Sequence, residues 1–172
     1  MDKLKEYLRS RLLSRCSWKG TTGLRPLKGM KTATVLLDVS TEDSADFRTR
    51  VRNWFLSRGI RASLFYFDFR KPSKDAFSLS PAGDTLTLRQ LSCYTKRPLL
   101  DKFNKSFFSD CDIFVSFVKN DSFALKYMSA AVPASFKIGA LGGEAYPYDL
   151  VVSANSPDEM LTCMENILSK IS

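Results

Sequence analysis

Apolar residues recur along this chain in two rhythms. From Leu4 a leucine returns every fourth position, at Leu8 and Leu12, with Tyr7 and Leu13 flanking the stripe and basic side chains covering the other side. That spacing predicts an amphipathic helix over residues 2–15. From residue 34 onward the pattern changes to short apolar runs separated by stretches of helical period. The runs 34–39, 61–69, 112–118, 135–139 and 149–153 predict strands, and the alternation at 85–88 predicts a shorter peripheral one. Between them Phe47, Val51, Trp54 and Phe55 share a helix face that ends at Gly59, a C-cap residue. Pro98 is expected to open a helix through Leu99, Leu100, Phe103, Phe107 and Phe108. A helix over 122–132 is halted by Pro133, and Ser156 caps a last helix started by Pro157, with Met160, Leu161, Met164, Ile167 and Leu168 on its inner face.

Strands separated by helices of about 10 to 15 residues imply parallel βαβ crossovers. The expected fold is α/β: a three-layer, Rossmann-like domain with a mostly parallel sheet of about five strands, preceded by the basic helix. Residues 1–31 read as that helix and a linker through Gly20 and Gly29, and 32–172 as one domain without internal repeats. A chain of 172 residues, 44% hydrophobic and 26% charged, buries roughly 70% of its unfolded surface, enough for a core that needs no crosslinks.

Charge separates the two parts. Residues 1–31 carry nine basic side chains against Asp2 and Glu6, so they hold seven of the eight net positive charges, and the rest of the chain is nearly neutral. Attraction to nucleic acid, anionic lipid or an acidic partner is therefore expected from the arm, through Lys5, Arg9, Arg11, Arg15, Trp18 and Lys19. Trp18 beside Lys19, with the leucine stripe upstream, tilts this toward a membrane surface or a partner groove; no RNA-binding signature is present. The competing reading is an arm that aids solubility or packs on its own domain.

The chain contains no histidine, which excludes His-based triads, zinc proteases and His metal sites. Cys93, Cys111 and Cys163 lie in or beside apolar runs and read as reduced, mostly buried thiols. Cys16, among Arg15, Trp18 and Lys19, is placed where positive charge lowers a thiol pKa. No run approaches the roughly 20 apolar residues that span a bilayer. The start lacks the apolar core and small-residue cleavage site of a secretory signal. Its Arg- and Ser-rich character overlaps with a mitochondrial presequence, against which Asp2 and Glu6 count, and a cytoplasmic location follows by elimination.

In such a sheet ligands bind at the C-terminal strand ends where strand order reverses. The polar residues expected there are Asp38, Ser40, Thr41, Asp68, Lys119 and Asp121, with Arg70, Asn155 and the Gly139–Glu144 loop nearby. Asp38 and Asp68 at neighbouring strand ends form the one carboxylate pair suited to acid/base or magnesium chemistry. The first strand-to-helix turn, DVSTEDS, lacks the glycines that wrap a pyrophosphate. No nucleophile, base and oxyanion donor stand at a recognisable spacing. Catalytic residues, a metal site and a cofactor are thus not expected. Phe65, Tyr66 and Phe67 alternate across a buried strand, which favours core packing over base stacking.

The segments 111–117 (CDIFVSF), 123–131 (FALKYMSAA), 136–139 (FKIG) and 148–152 (YDLVV) resemble an uncharacterised bacterial domain-of-unknown-function family typical of Bacteroidota. The resemblance implies a cytoplasmic α/β domain without assigned activity. The same strand, helix and strand are also similar to the N-terminal half-domain of heptosyltransferase-type glycosyltransferases, where a second, sugar-nucleotide-binding half completes the enzyme. This chain has no room for that half, so the likeness implies a single-domain relative that binds a partner or a small anionic ligand. The expected function is a binding or accessory domain whose basic helix engages an anionic surface or partner protein. Its alternative is a nucleotide- or sugar-nucleotide-binding module, or an enzyme, using the strand ends.

Overall fold

The structure, a computed structural model, describes residues 2–16, 24–39, 44–70, 84–99, 101, 103–140 and 147–171. Helix α1 spans Asp2–Ser14. It is followed by β1 (Thr32–Asp38), α2 (Ser44–Leu56), β2 (Arg61–Asp68), β3 (Thr85–Thr87), β4 (Cys111–Ser116), α3 (Phe123–Ala131), β5 (Ala134–Gly139), β6 (Leu150–Val151) and α4 (Pro157–Leu168). The strands form one sheet in the order β3-β2-β1-β4-β5-β6, and every neighbouring pair is parallel. Strand order reverses between β1 and β4, as in doubly wound α/β domains. Six strands, against about five expected, result because short strands attach at both edges.

The apolar runs are explained by burial on both faces. In β1, Ala33, Val35 and Leu37 face a layer made by α2 and α4, where Phe47, Val51, Trp54, Phe55, Met160 and Met164 meet them. Leu36 faces the other way, toward Leu125 and Met128 of α3 and the rings of Phe103 and Phe107. A strand covered on two sides cannot alternate apolar with polar residues, so it reads as a continuous hydrophobic run. Phe65 and Phe67 lie in the second layer and Tyr66 in the first, so these aromatics do pack in the core.

Local chemistry sets the element ends. Gly59 has φ +72°, a left-handed conformation that lets the chain turn from α2 into β2. Asp112 Oδ2 accepts from the backbone N–H groups of Lys31 (2.8 Å) and Thr32 (3.0 Å), pinning the start of β1 beside β4. These donors hold the Asp112 carboxyl below its usual range. Ser122 caps α3 and Ser156 caps α4, each hydroxyl accepting an N–H three residues on.

The expected helix after Pro98 is absent. Pro98 instead bridges antiparallel to Leu91, closing a turn in which Ser92 N–H donates to Arg97 O (2.8 Å) and Lys96 takes φ 61°. Among the described residues between Pro98 and β4, the backbone is 3-10 at Asp101 and over Lys105–Phe108 and forms no α-helix. Asn104 caps the 105–108 turn, its Oδ1 accepting from Ser106 N–H (3.0 Å). The run 149–153 is reduced to two residues assigned to a strand, flanked by Asp149, whose N–H donates to Lys137 O (2.8 Å) while its carboxylate accepts from Lys137 N–H (2.8 Å).

Helix α1 packs against α3, outside the sheet layers. Among the described residues no helix is long and apolar enough to cross a membrane.

Candidate functional site

Asp38 ends β1 and Asp68 ends β2 on adjacent parallel strands, and Arg70 binds Asp68 while lying within electrostatic reach of Asp38. Arg70 donates through Nε to Asp68 Oδ1 (2.9 Å) and through an Nη to Oδ2 (2.8 Å), a bidentate pair, and its backbone N–H adds a third bond to Oδ1 (3.0 Å). The hydrogen bonds from Arg70 hold the Asp68 carboxyl below its usual range, and Asp38 contributes to the field that holds Arg70 charged. An Asp fixed as an anion, with both oxygens taken, is ill suited to donate a proton.

Lys119 and Asp121 do not join this pair. Lys119 Nζ reaches across to the carbonyl of Ala154, after β6, and Asp121 pairs with Lys126 on α3 (3.0 Å). Ser40 and Thr41 lie outside the described residues. Asn155 N–H donates to Glu159 Oε2 (2.7 Å) as part of the α4 cap. At Gly139 an added Cβ would come within 2.4 Å of the Tyr148 ring, so this glycine makes room for a side chain of its own fold. Among the described residues no group of three or more Cys, Asp or Glu side chains gathers as metal ligands do.

The basic arm divides into an inner and an outer side. Arg9 is turned inward: its Nε donates to Thr95 O (3.1 Å) and its guanidinium lies 5.0 Å from the centre of the Phe123 ring. Lys5, Leu8, Leu12, Leu13 and Cys16 are half-buried, while Arg11 and Arg15 are exposed. Neither Arg11 nor Arg15 makes an ion pair among the described residues; on α1 only Arg9 and Glu6 do (3.0 Å). Trp18 and Lys19 lie outside the described residues.

The cysteines differ from expectation in two respects. All four are free, but Cys93 is exposed, because it sits in the 92–97 turn and not in a strand. At Cys16 burial outweighs the nearby charge of Lys137 and raises the thiol pKa, the reverse of the expected activation. The end of α1 closes over the sulfur, which lies 3.6 Å from Leu12 O.

One polar cluster was not anticipated. Lys137, in the middle of β5, is fully buried, and its ammonium donates to the α3 carbonyls of Ser129 (2.6 Å) and Ala130 (3.4 Å). These carbonyls belong to the last turn of α3, where a cation is favourable. Burial nevertheless lowers the Lys137 pKa to about 8, against opposing contributions from Cys111, Asp149 and Cys16. Beside it Tyr148 and Ser129 share a hydrogen bond (2.8 Å), and burial raises the Tyr148 pKa. The signal in the sequence is a lysine flanked by Phe136 and Ile138 in an otherwise apolar strand.

The chain belongs to the family of unknown function DUF6913, whose model matches residues 3–171. No curated protein and no solved structure matches it. The matched span includes α1 together with the sheet.

Proposed function

We propose that this member of a family of unknown function is a non-enzymatic binding or accessory domain of the bacterial cytoplasm, whose basic N-terminal helix engages an anionic partner. The observation that supports the reading is where charge is left over. At the strand ends Asp68 is matched by Arg70, Asp121 by Lys126, and Lys119 by a backbone carbonyl. On α1, one arginine anchors the helix to its own domain while Arg11 and Arg15 stay exposed and unmatched among the described residues. Exposed cations without an internal partner are the groups that steer an anionic one.

A second reading places a nucleotide or sugar nucleotide at the strand ends. The reversal of strand order between β1 and β4 favours it, since ligands of doubly wound sheets lie there, and the heptosyltransferase likeness points the same way. The two separate in a thermal-shift experiment on the full chain and on an R11E/R15E double variant, with polyglutamate, short DNA, anionic vesicles, nucleotides and sugar nucleotides as probes. The expected result is stabilisation by an anionic polymer or surface, lost in the variant. Ligand present at a hundredfold excess over Kd stabilises by about 2.7 kcal/mol. Stabilisation by a nucleotide that persists in R11E/R15E and disappears in Lys119→Ala overturns the proposal in favour of the strand ends.

A further inference from the structure

The outer flank of α1 carries more than charge. Leu4 and Tyr7 are 59% and 60% exposed, and with Leu8 and Arg11 they recur at spacings of three and four residues along one side of the helix, with Arg15 in the turn that follows it. Next to Leu8 and Leu12, α1 and Thr95 of the 92–97 turn enclose a groove of about 210 Å³, rimmed by Arg11 and Arg15. Pockets that take a whole small molecule run to roughly 300–1,000 Å³. This one has room for an apolar side chain and little else.

We infer that this flank is a docking seam for an acidic amphipathic helix of a partner protein. The inference rests on the binding-domain reading above and names its partner class. Arg11 lies in the last turn of α1 and Arg15 four residues on, in the turn that follows Ser14. Carboxylates at i and i+4 of a facing helix match that separation, and each guanidinium can hold one bidentately. An apolar residue at i+3 on the same side enters the groove over Leu8 and Leu12, and Leu4 and Tyr7 extend the seam by about one further turn.

The alternatives lack one half of this match. A second copy of the chain brings its own arginines against these, in a protein with a net charge of +8. Nucleic acid supplies phosphates but no side chain for the groove. A bilayer meets the charges and the outer apolar residues, yet as a flat surface it leaves the groove unfilled.

The test is fluorescence anisotropy of the full chain with a labelled helical peptide of four turns, bearing Glu at i and i+4 and Leu at i+3 and i+7 on the same side. The controls are the same peptide with both leucines replaced by alanine, polyglutamate of equal charge, short RNA and vesicles of phosphatidylglycerol. The leucine peptide is expected to bind at least about tenfold more tightly than its alanine form, the minimum for burying one such side chain. Binding is expected to be lost in R11E/R15E and weakened in L4S/Y7S, with the Tm of both variants unchanged. Equal binding of leucine and alanine peptides, or stronger binding to RNA or vesicles, overturns the seam while leaving the basic-helix reading intact. If no anionic probe binds at all, both fail.

Discussion

The two faces of the sheet are covered by different means. On one, α2 and α4 lay regular helices over Val35, Ile113 and Ile138, and the charged groups stay at the rim, as Arg50 with Asp158 and Arg58 with Glu165. On the other, α3 is the one helix in direct contact. The crossover between β3 and β4 contributes rings in its place, and a charged amine lies inside the layer. The second face also carries an outer element, α1, which packs on α3 and is tied to the 92–97 turn by Arg9. A face that folds as a self-sufficient apolar layer has few polar groups to spare, whereas one completed by a docked segment carries both the buried polar cluster and the unmatched surface charge.

Truncating the ring cluster is the severest test of that contrast. Phe107 is fully buried, with Phe65, Phe103, Phe108 and Phe114 arranged around it at centroid distances of 4.9 to 6.0 Å, mostly edge to face. Phe107→Ala is expected to cost about 3–5 kcal/mol in urea unfolding. A loss below about 1 kcal/mol would show that the irregular crossover is not a true core layer, and that α3 alone carries this face.

The buried amine comes next. Lys137 has its pKa lowered from 10.5 to about 8 in the fold. Between these values the unfolded chain binds the proton and the folded chain has released it, so stability rises with pH across that window. Below about pH 8 the fold bears the full cost of the charged form, about 3 kcal/mol. The wild type is thus expected to gain up to that amount relative to Lys137→Met between pH 8 and 10.5. Tyr127 and Tyr148, both raised by burial, titrate in both proteins and cancel in the difference. Parallel pH profiles would mean that the amine reaches water and that the second face is wetter than its packing implies.

A smaller effect is expected where α1 is held. Arg9→Ala removes the bond to Thr95 O and the contact with the Phe123 ring, at a cost of about 1–2 kcal/mol. The sharper readout is local: amide exchange along α1 should accelerate, and Cys16 should react faster with a thiol reagent as the helix end lifts from it. Unchanged Cys16 labelling would place the anchor of α1 in its leucines and not in Arg9.

The contrast between the faces also marks what could be read from the sequence. Strands β1, β2, β4 and β5 and helices α2, α3 and α4 were legible because each presents an unbroken apolar run or a helical stripe with its cap, as at Ser156 and Pro157. The crossover after Pro98 was not. Its phenylalanines have helical spacing, but Pro98 is held by a bridge to Leu91, a pairing that no local period reveals, and Phe107 and Phe108 follow in a short 3-10 turn. At the candidate site, Asp38 and Asp68 end adjacent strands, but with Asp38 opposite Phe67 in the register they alternate to different faces of the sheet, while Lys119 is drawn to the distant Ala154 O and Asp121 to Lys126 at the start of α3. The basic character of α1 was plain, but its division into Arg9 inward and Arg11 and Arg15 outward depends on where α3 and the 92–97 turn lie.

The mildest substitution bears on the first face. Arg50 pairs with Asp158 across the tops of α2 and α4, and its side chain is 53% exposed. Long side chains held in water lose in entropy much of what they gain in attraction, so such pairs contribute about 0–1 kcal/mol. Arg50→Ala is accordingly expected to lower stability by less than about 0.5 kcal/mol, and that loss should shrink further in high salt. Arg9 and Arg50 are the same side chain, and each lies against a phenylalanine ring, Phe123 and Phe47. What separates them is that Arg9 fastens one segment to another, whereas Arg50 decorates a layer already closed by Phe47, Val51 and Met160. If Arg50→Ala proved as costly as Arg9→Ala, the first face would depend on its rim charges too, and the distinction between a self-sufficient layer and a completed one would dissolve.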